Sequence, residues 1–202
     1  RVAIIDYGMG NIWSVSSALK YLGVEAVLVT ESERLIDFDY VILPGVGSFK
    51  KGMEKLQQRG FDVNLHKVAK RGTNILGICL GMQLMASSSE EGNSTGLGWV
   101  DASVKKFKTS DSQKFKIPHI GWNTINLTKK SALMNDIAPN EEFYFVHSFY
   151  MQPNDPDLIL NETNYIEKFC SGIEQENIFG VQYHPEKSHD SGRTLLKNFI
   201  SL

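Results

Sequence analysis

The first half of this chain alternates short apolar segments with helix-like segments, and that alternation constrains the fold more than any other feature. The apolar runs, typical of strands buried on both faces, occupy residues 2–6, 24–30, 40–43 and 74–78. The helix-like stretches occupy residues 12–22 and 49–71, the second broken at Gly60. Such repeats predict an α/β fold, doubly wound, whose mostly parallel sheet carries helices on both faces.

The second half is richer in strands. From about residue 99, the segments VKKF, NTINL, EFYFVH and LILNE are separated by polar turns, and we expect them to be antiparallel additions to the same sheet. The pattern also predicts a helix starting at residues 80–87, a core strand at 180–183 and a closing helix at 192–202. No internal repeat or linker is visible, so residues 1–202 are expected to form a single domain.

Cys79 lies in the pentapeptide GICLG, where a predicted strand meets a predicted helix. This is the cysteine version of the G-x-S-x-G nucleophile elbow, whose small neighbours permit a sharp turn. A thiol at a helix N-terminus gains from the helix dipole, which favours the thiolate. A core cysteine between two packing glycines would read the same way, so the pentapeptide alone leaves both interpretations open.

His184 and Glu186 follow the predicted strand at 180–183. In extended backbone, residues two apart leave on the same face, so the carboxylate could orient the imidazole while the other ring nitrogen faces a thiol. Strand ends of a doubly wound sheet are where such folds place active sites, which would bring the pair to Cys79. His119 and His147 have no adjacent carboxylate, His66 is expected on a helix surface and His189 in a polar turn. No His, Cys, Asp and Glu cluster has metal-ligand spacing.

The segment PGVGSF at 44–49 follows a buried strand and holds two glycines. Its main-chain N–H groups could complete an oxyanion hole together with the amide of Leu80. A phosphate loop would need the G-x-x-x-x-G-K-[ST] pattern, which is missing. The GMGN segment at 8–11 is only half of a dinucleotide fingerprint, so no cofactor is expected.

Charge and cysteine content exclude several functions. The net charge of -2 predicts no general affinity for nucleic acid or for anionic membranes. No signal peptide or spanning segment is visible, and two cysteines without a scaffold pattern suggest reduced thiols in the cytoplasm.

Together these motifs resemble the class I (triad) glutamine amidotransferases, which have a flavodoxin-like sheet, and within them the glutaminase subunits of imidazole glycerol phosphate synthases. The resemblance runs nearly end to end, through IDYGMGN at 5–11, LPGVGSF at 43–49, GICLGMQLM at 77–85, EEG at 90–92, GLG at 96–98, PHIGWN at 118–123, YFVHSFY at 144–150 and GVQYHPEKS at 180–188.

The resemblance implies a role for each matching residue. The catalytic triad would be Cys79, His184 and Glu186, and the oxyanion hole would be formed by Gly45, Val46 and Leu80. The residues that bind glutamine would be Gly47, Gln83, Glu91 and Ser148. The residues near the partner interface would be Asn11, Trp122, Tyr144 and Lys187. Trp122 could equally be a core residue on sequence alone.

The implied reaction is glutamine hydrolysis through a Cys79 thioester, with His184 as acid and base. The ammonia would pass to a (β/α)8-barrel cyclase subunit in histidine biosynthesis, and the isolated chain would turn over slowly. The segment GLGWVDASVKKF departs from the histidine-pathway pattern, so ammonia supply for amidation of a bacterial cell-surface sugar is the alternative. Two other functions are less consistent with the sequence. A catalytically inactive relative that only binds a partner would be expected to have lost a triad residue, and all three are present. A cysteine peptidase on the same sheet would not need Gln83 and Glu91.

Overall fold

A computed structural model describes residues 1–202. Its largest sheet has eight strands. In sheet order these are β2 (Ala26–Val29), β1 (Val2–Ile5), β3 (Tyr40–Leu43), β4 (Asn74–Ile78), β14 (Ile178–Val181), β13 (Lys168–Gln175), β12 (Ile159–Asn164) and β9 (Asn126–Leu127). The first five run parallel to one another, and the last three are antiparallel additions. The mostly parallel sheet is as predicted.

Helices cover both faces of this sheet. They are α1 (Ile12–Tyr21), α2 (Phe49–Gln58), α3 (Phe61–Lys70), α4 (Leu80–Gln83) and α5 (His189–Phe199). Alternate strand residues feed two separate cores: on β3, Val41 and Leu43 pack on the face covered by α2 and α3, whereas Ile42 packs on the face covered by α1 and α5. Gly60 breaks the long helical stretch, as predicted, in the left-handed region at φ 67°. None of the helices has the length and hydropathy needed to cross a membrane.

Part of the expectation for the second half is wrong. The segments NTINL and LILNE do contribute β9 and β12 to the main sheet, but VKKF and EFYFVH belong to two smaller sheets. One has two strands, β8 (His119–Thr124) and β10 (Glu142–His147); the other has four, β11 (Phe149–Pro153), β7 (Val100–Lys106), β5 (Ala86–Ser89) and β6 (Ser94–Thr95). Apolar alternation identifies a strand but does not identify the strand with which it pairs.

The helix expected to begin at residues 80–87 is also shorter than predicted. α4 ends at Gln83, and the chain enters β5 at Ala86. Ser87, Ser88 and Ser89 are poor helix formers, and β5 gains backbone hydrogen bonds by pairing with β6 and β7. The helix that follows β4 is therefore only one turn long.

Candidate active site

Cys79 occupies a strained turn between β4 and α4. Its backbone, at φ 55° and ψ -110°, is in a region that non-glycine residues seldom adopt. A Cβ at Gly81 would overlap the carbonyl oxygen of Leu43, and a Cβ at Gly77 would approach the Gly81 backbone within 2.7 Å. The two glycines of the elbow are thus required for close packing of strand and helix, as expected for a nucleophile elbow.

The sulfur of Cys79 is nearly buried, with 7% of the residue exposed. Gln182 Nε2 lies 3.6 Å from Sγ, and the thiol faces the Val146 carbonyl oxygen at 3.9 Å. These contacts fix the direction in which the sulfur points. Gln182 was not identified from the sequence, although a glutamine in the buried strand segment GVQYH carries the same signal as Gln83.

The structure brings His184 and Glu186 together. The His184 Nδ1 to Glu186 Oε1 distance is 2.8 Å, and each side chain is 1% exposed. The expectation of extended backbone is wrong, because Pro185–Lys187 forms one turn of 3-10 helix. Proline suits the first position of a helical turn, because its fixed φ matches the turn and its missing N–H would have no partner there. The turn folds the Glu186 carboxylate back onto the His184 ring.

The surroundings of His184 favour its protonated form. Burial of the ring acts to lower the pKa of His184, but hydrogen bonding and charge from Cys79 and Glu186 outweigh this and raise the pKa to about 10. The second ring nitrogen, Nε2, is buried without a hydrogen-bond partner of ordinary length, so the neighbouring thiol is the group with which it can exchange a proton. An imidazolium beside a sulfur stabilises a thiolate nucleophile.

A cavity of about 260 Å³ opens beside Cys79. Drug-sized ligands occupy pockets of about 300–1,000 Å³, so this one suits a molecule the size of an amino acid. Its lining includes all four residues predicted to bind glutamine. The lining residues are Val46, Gly47, Cys79, Leu80, Gln83, Glu91, Val146, His147, Ser148 and Phe149.

Two of the predicted binding residues are held in place by the protein. Gln83 Nε2 donates to the Phe149 carbonyl and to Gln182 Oε1, both at 3.0 Å. Glu91 Oε2 accepts from the backbone N–H of Phe49, the first residue of α2, at 2.8 Å. Both N–H donors of Gln83 are engaged, so the Glu91 carboxylate and the remaining amide oxygen of Gln83 act as acceptors, which suits the charged amino group of an amino acid.

The predicted oxyanion hole is not assembled in this conformation. The Leu80 N–H donates to the Gly45 carbonyl oxygen at 3.3 Å and is therefore already engaged. In a trans peptide, N–H and C=O point in opposite directions, so the Val46 N–H points away from Leu80. Rotation of the Gly45–Val46 peptide would free the first donor and turn the second one inward. Gly47, at φ 109°, provides backbone freedom beside that peptide.

Three of the predicted interface residues, Trp122, Tyr144 and Lys187, form a group at the surface of the protein. Trp122 is 45% exposed, stacks on His189 at 5.0 Å between ring centroids and meets Tyr144 edge-on at 6.0 Å. Lys187 Nζ lies 5.8 Å from the centroid of the Tyr144 ring. Asn11 lies at the N-cap of α1. Trp122 is thus not a core tryptophan.

Comparisons with known proteins agree with this geometry. The model of the family "Glutamine amidotransferase class-I" matches residues 3–202. An imidazole glycerol phosphate synthase subunit HisH 2 of Methanococcus maripaludis is 46% identical over 98% of both chains. The protein of the same name from Pseudomonas aeruginosa is 42% identical over 100% of this chain and 99% of its own. A subunit HisH of Chlorobaculum tepidum is 45% identical over 98% of both chains.

Solved structures share the fold. PurLQS of Thermotoga maritima has a TM-score of 0.76 at 20% identity, covering 100% of this chain and 97% of that one. A glutaminase domain of Trypanosoma brucei CTPS with bound acivicin has a TM-score of 0.67 at 18% identity, covering 100% and 94%. Family model, full-length relatives and the elbow geometry agree, and the chain belongs to the class I glutamine amidotransferase family.

Proposed function

We propose that this chain hydrolyses glutamine to glutamate and ammonia, as the glutaminase subunit of an imidazole glycerol phosphate synthase in histidine biosynthesis. The observation that carries the proposal is the buried His184–Glu186 pair next to Cys79, on a cavity lined by Gln83 and Glu91. Relatives with that name match the chain over nearly its whole length, which supports the same assignment. We also propose that residues 1–202 form a single domain.

The proposed reaction has two steps. The Cys79 thiolate attacks the side-chain amide carbon of glutamine, and the C–N bond breaks as His184 gives its proton to the departing nitrogen, which leaves as ammonia. A water molecule then gives a proton to His184 and attacks the glutamyl thioester, which releases glutamate and restores the thiol. Glu186 holds the ring of His184 in orientation throughout.

The engaged Leu80 amide supports a slow isolated enzyme. Until the Gly45–Val46 peptide rotates, the negative oxygen formed in each step lacks two donors, and one such donor is worth about 2.7–4 kcal/mol in a comparable hydrolase. We propose that docking of a (β/α)8-barrel cyclase subunit favours the rotated turn and receives the ammonia. The surface group of Trp122, Tyr144 and Lys187 is the proposed docking face, together with Asn11. The two unpaired cysteines fit the cytoplasm as its location.

The alternative acceptor is a bacterial surface sugar. The sequence that favours it, residues 96–107, forms β7 and packs Trp99 against His66, and none of it lines the cavity. This segment therefore shapes the framework of the domain, and the choice of acceptor belongs to the partner.

The two pathways are separated by one experiment. The chain is mixed with the histidine-pathway cyclase of the same organism and its phosphorylated ribulosyl substrate, and glutamate release is measured. We expect strong stimulation over the isolated chain. Absence of stimulation, with Cys79 still alkylated by a glutamine analogue, would contradict the histidine assignment and favour the surface-sugar pathway.

A further inference from the structure

A pair of buried histidines outside the triad lies directly behind the cavity. His119 and His147 are 3% and 6% exposed, and His119 Nδ1 is 3.0 Å from His147 Nε2. His147 lines the cavity, whereas His119 lies behind it on β8, stacked between Phe145 and Tyr165. Neither takes part in the proposed reaction. Burying two histidines costs free energy unless all their polar atoms are hydrogen-bonded, so the partners of each ring nitrogen matter.

The neighbours of the pair determine where each proton is. His147 Nδ1 lies 2.8 Å from the Phe149 carbonyl oxygen, which can only accept, so this nitrogen carries the proton. Neutral His147 must then accept at Nε2, and the donor is His119 Nδ1–H. His119 Nε2 accepts in turn from Asn123 Nδ2 at 3.2 Å. The Asn123 amide is itself oriented, since its Nδ2 donates to the Asn164 carbonyl and its Oδ1 accepts from the backbone N–H of Thr124.

Both rings stay uncharged. Burial lowers the pKa of His119 to about 4. Burial also lowers the pKa of His147 to about 3, in part offset by its bond to Phe149 and reinforced by the positive charges that His119 and His184 would carry. At neutral pH each ring therefore has one donor and one acceptor, and both are used.

The line of hydrogen bonds continues into the cavity. The Phe149 carbonyl that accepts from His147 also accepts from Gln83 Nε2 at 3.0 Å. Gln83 Nε2 donates as well to Gln182 Oε1, and Gln182 Nε2 lies 3.6 Å from Cys79 Sγ. A single series of contacts thus runs from Asn123, beside the exposed Trp122, to the nucleophile.

We propose that His119 and His147 are positioning residues for Gln83 and Gln182, and so for the glutamine pocket and the Cys79 sulfur. The inference rests on the proposed function. The N–H of His119 keeps the proton of His147 on Nδ1. With the proton on Nε2 instead, the Nδ1 lone pair would face the Phe149 carbonyl oxygen and repel it. Gln83 would then lose the fixed acceptor that sets its orientation.

Two variants of His119 separate this role from packing. His119→Phe keeps a ring between Phe145 and Tyr165 but removes the donor. His119→Asn loses the ring but places an amide N–H near the position of Nδ1. Each chain is alkylated at Cys79 with a glutamine analogue and, separately, with iodoacetamide, and the ratio of the two rates is compared with wild type. Iodoacetamide reports on the sulfur alone, whereas the analogue must first fit the pocket.

We expect His119→Phe to lower this ratio about tenfold, as expected when one buried acceptor loses its donor, and His119→Asn to restore most of it. An unchanged ratio in His119→Phe would overturn the proposal, and so would an equal loss in both variants, which would point to packing. Failure of the analogue to alkylate the wild-type chain, while iodoacetamide reacts, would instead contradict the proposed function.

A second measurement uses the wild-type protein and so does not depend on whether a variant folds. Nitrogen-15 NMR of the histidine side chains in the wild-type protein reports which ring nitrogen carries the proton. We expect both His119 and His147 to carry it on Nδ1 and to remain neutral at pH 7. A proton on Nε2 of His147, or a doubly protonated ring, would overturn the proposal whatever the reaction catalysed.

Discussion

Glu186→Gln removes the negative charge from a buried pair with little change in shape. The two side chains are each 1% exposed and 2.8 Å apart. A rise in the pKa of His184 from 6.5 to about 10 corresponds to about 5 kcal/mol in favour of the protonated ring. Cys79 and Glu186 share that effect, so loss of the carboxylate charge should cost about 1.5–3 kcal/mol, the range for hydrogen bonds to charged groups.

The cost should depend on pH in a defined way. The pKa of His184 is raised in the folded state, so the protonated ring stabilises the fold. This stabilisation is complete below the unfolded pKa of about 6.5 and is lost as the pH rises through about 10. The variant should therefore differ most from wild type near pH 6 and least above pH 10.

Urea unfolding across that pH range measures the difference. Glu25→Gln, at an exposed position without an ion pair, is the matched control and should be neutral. A Glu186→Gln penalty that is absent, or equal at all pH values, would refute the account of the pair. Glutamate release with the partner present should fall on the order of 10⁴-fold, as for the orienting carboxylate of a protease triad.

Three further outcomes are expected. Gly81→Ala should cost more than about 4 kcal/mol in urea unfolding, because a Cβ there overlaps a carbonyl oxygen of β3. Gly52→Ala on α2, whose Cβ would meet only the side-chain ends of Leu80 and Leu84 at 3.2–3.3 Å, should cost much less. Lowering the pH from 7 to 5 should destabilise the fold by about 3 kcal/mol, because the lowered pKa values of His119 and His147 cost about 2 kcal/mol each and the raised pKa of His184 returns about 1 kcal/mol. His119→Asn should remove about 2 kcal/mol of that dependence, and an unaltered slope in this variant would contradict the prediction. Trp122→Ala should weaken partner binding by about 2 kcal/mol in calorimetry while leaving the thermal midpoint unchanged, and equal binding would remove Trp122 from the interface.

The main sheet could be predicted from the sequence because buried parallel strands are continuous apolar runs. The bounds of β3 and β4 agree with the predicted ranges, and the break at Gly60 follows from its backbone freedom. The smaller sheets could not be predicted, since β7 and β10 have the alternation of any half-buried strand and only tertiary packing determines their partners.

Only the local features of the site could be predicted from the sequence. His184 and Glu186 are two residues apart, and the elbow of Cys79 is a short motif, so both could be identified from one sequence. The pairing of His119 with His147 joins residues 28 apart, and that of Gln83 with Gln182 joins residues 99 apart. No local pattern encodes such contacts. The hydrogen bond from the Leu80 N–H depends on the orientation of the Gly45–Val46 peptide, which could not be predicted from the sequence either.

The most direct test of the central claim compares the two cysteines. Cys170 is also buried, and burial raises the pKa of its thiol to about 12, so it is the internal control for Cys79. Glutamate release from glutamine is measured with the partner present for Cys79→Ala and Cys170→Ala, after circular dichroism has shown that both chains fold. We expect Cys79→Ala to abolish release and Cys170→Ala to retain it. Turnover near wild type in Cys79→Ala would contradict the assignment of Cys79 as the nucleophile.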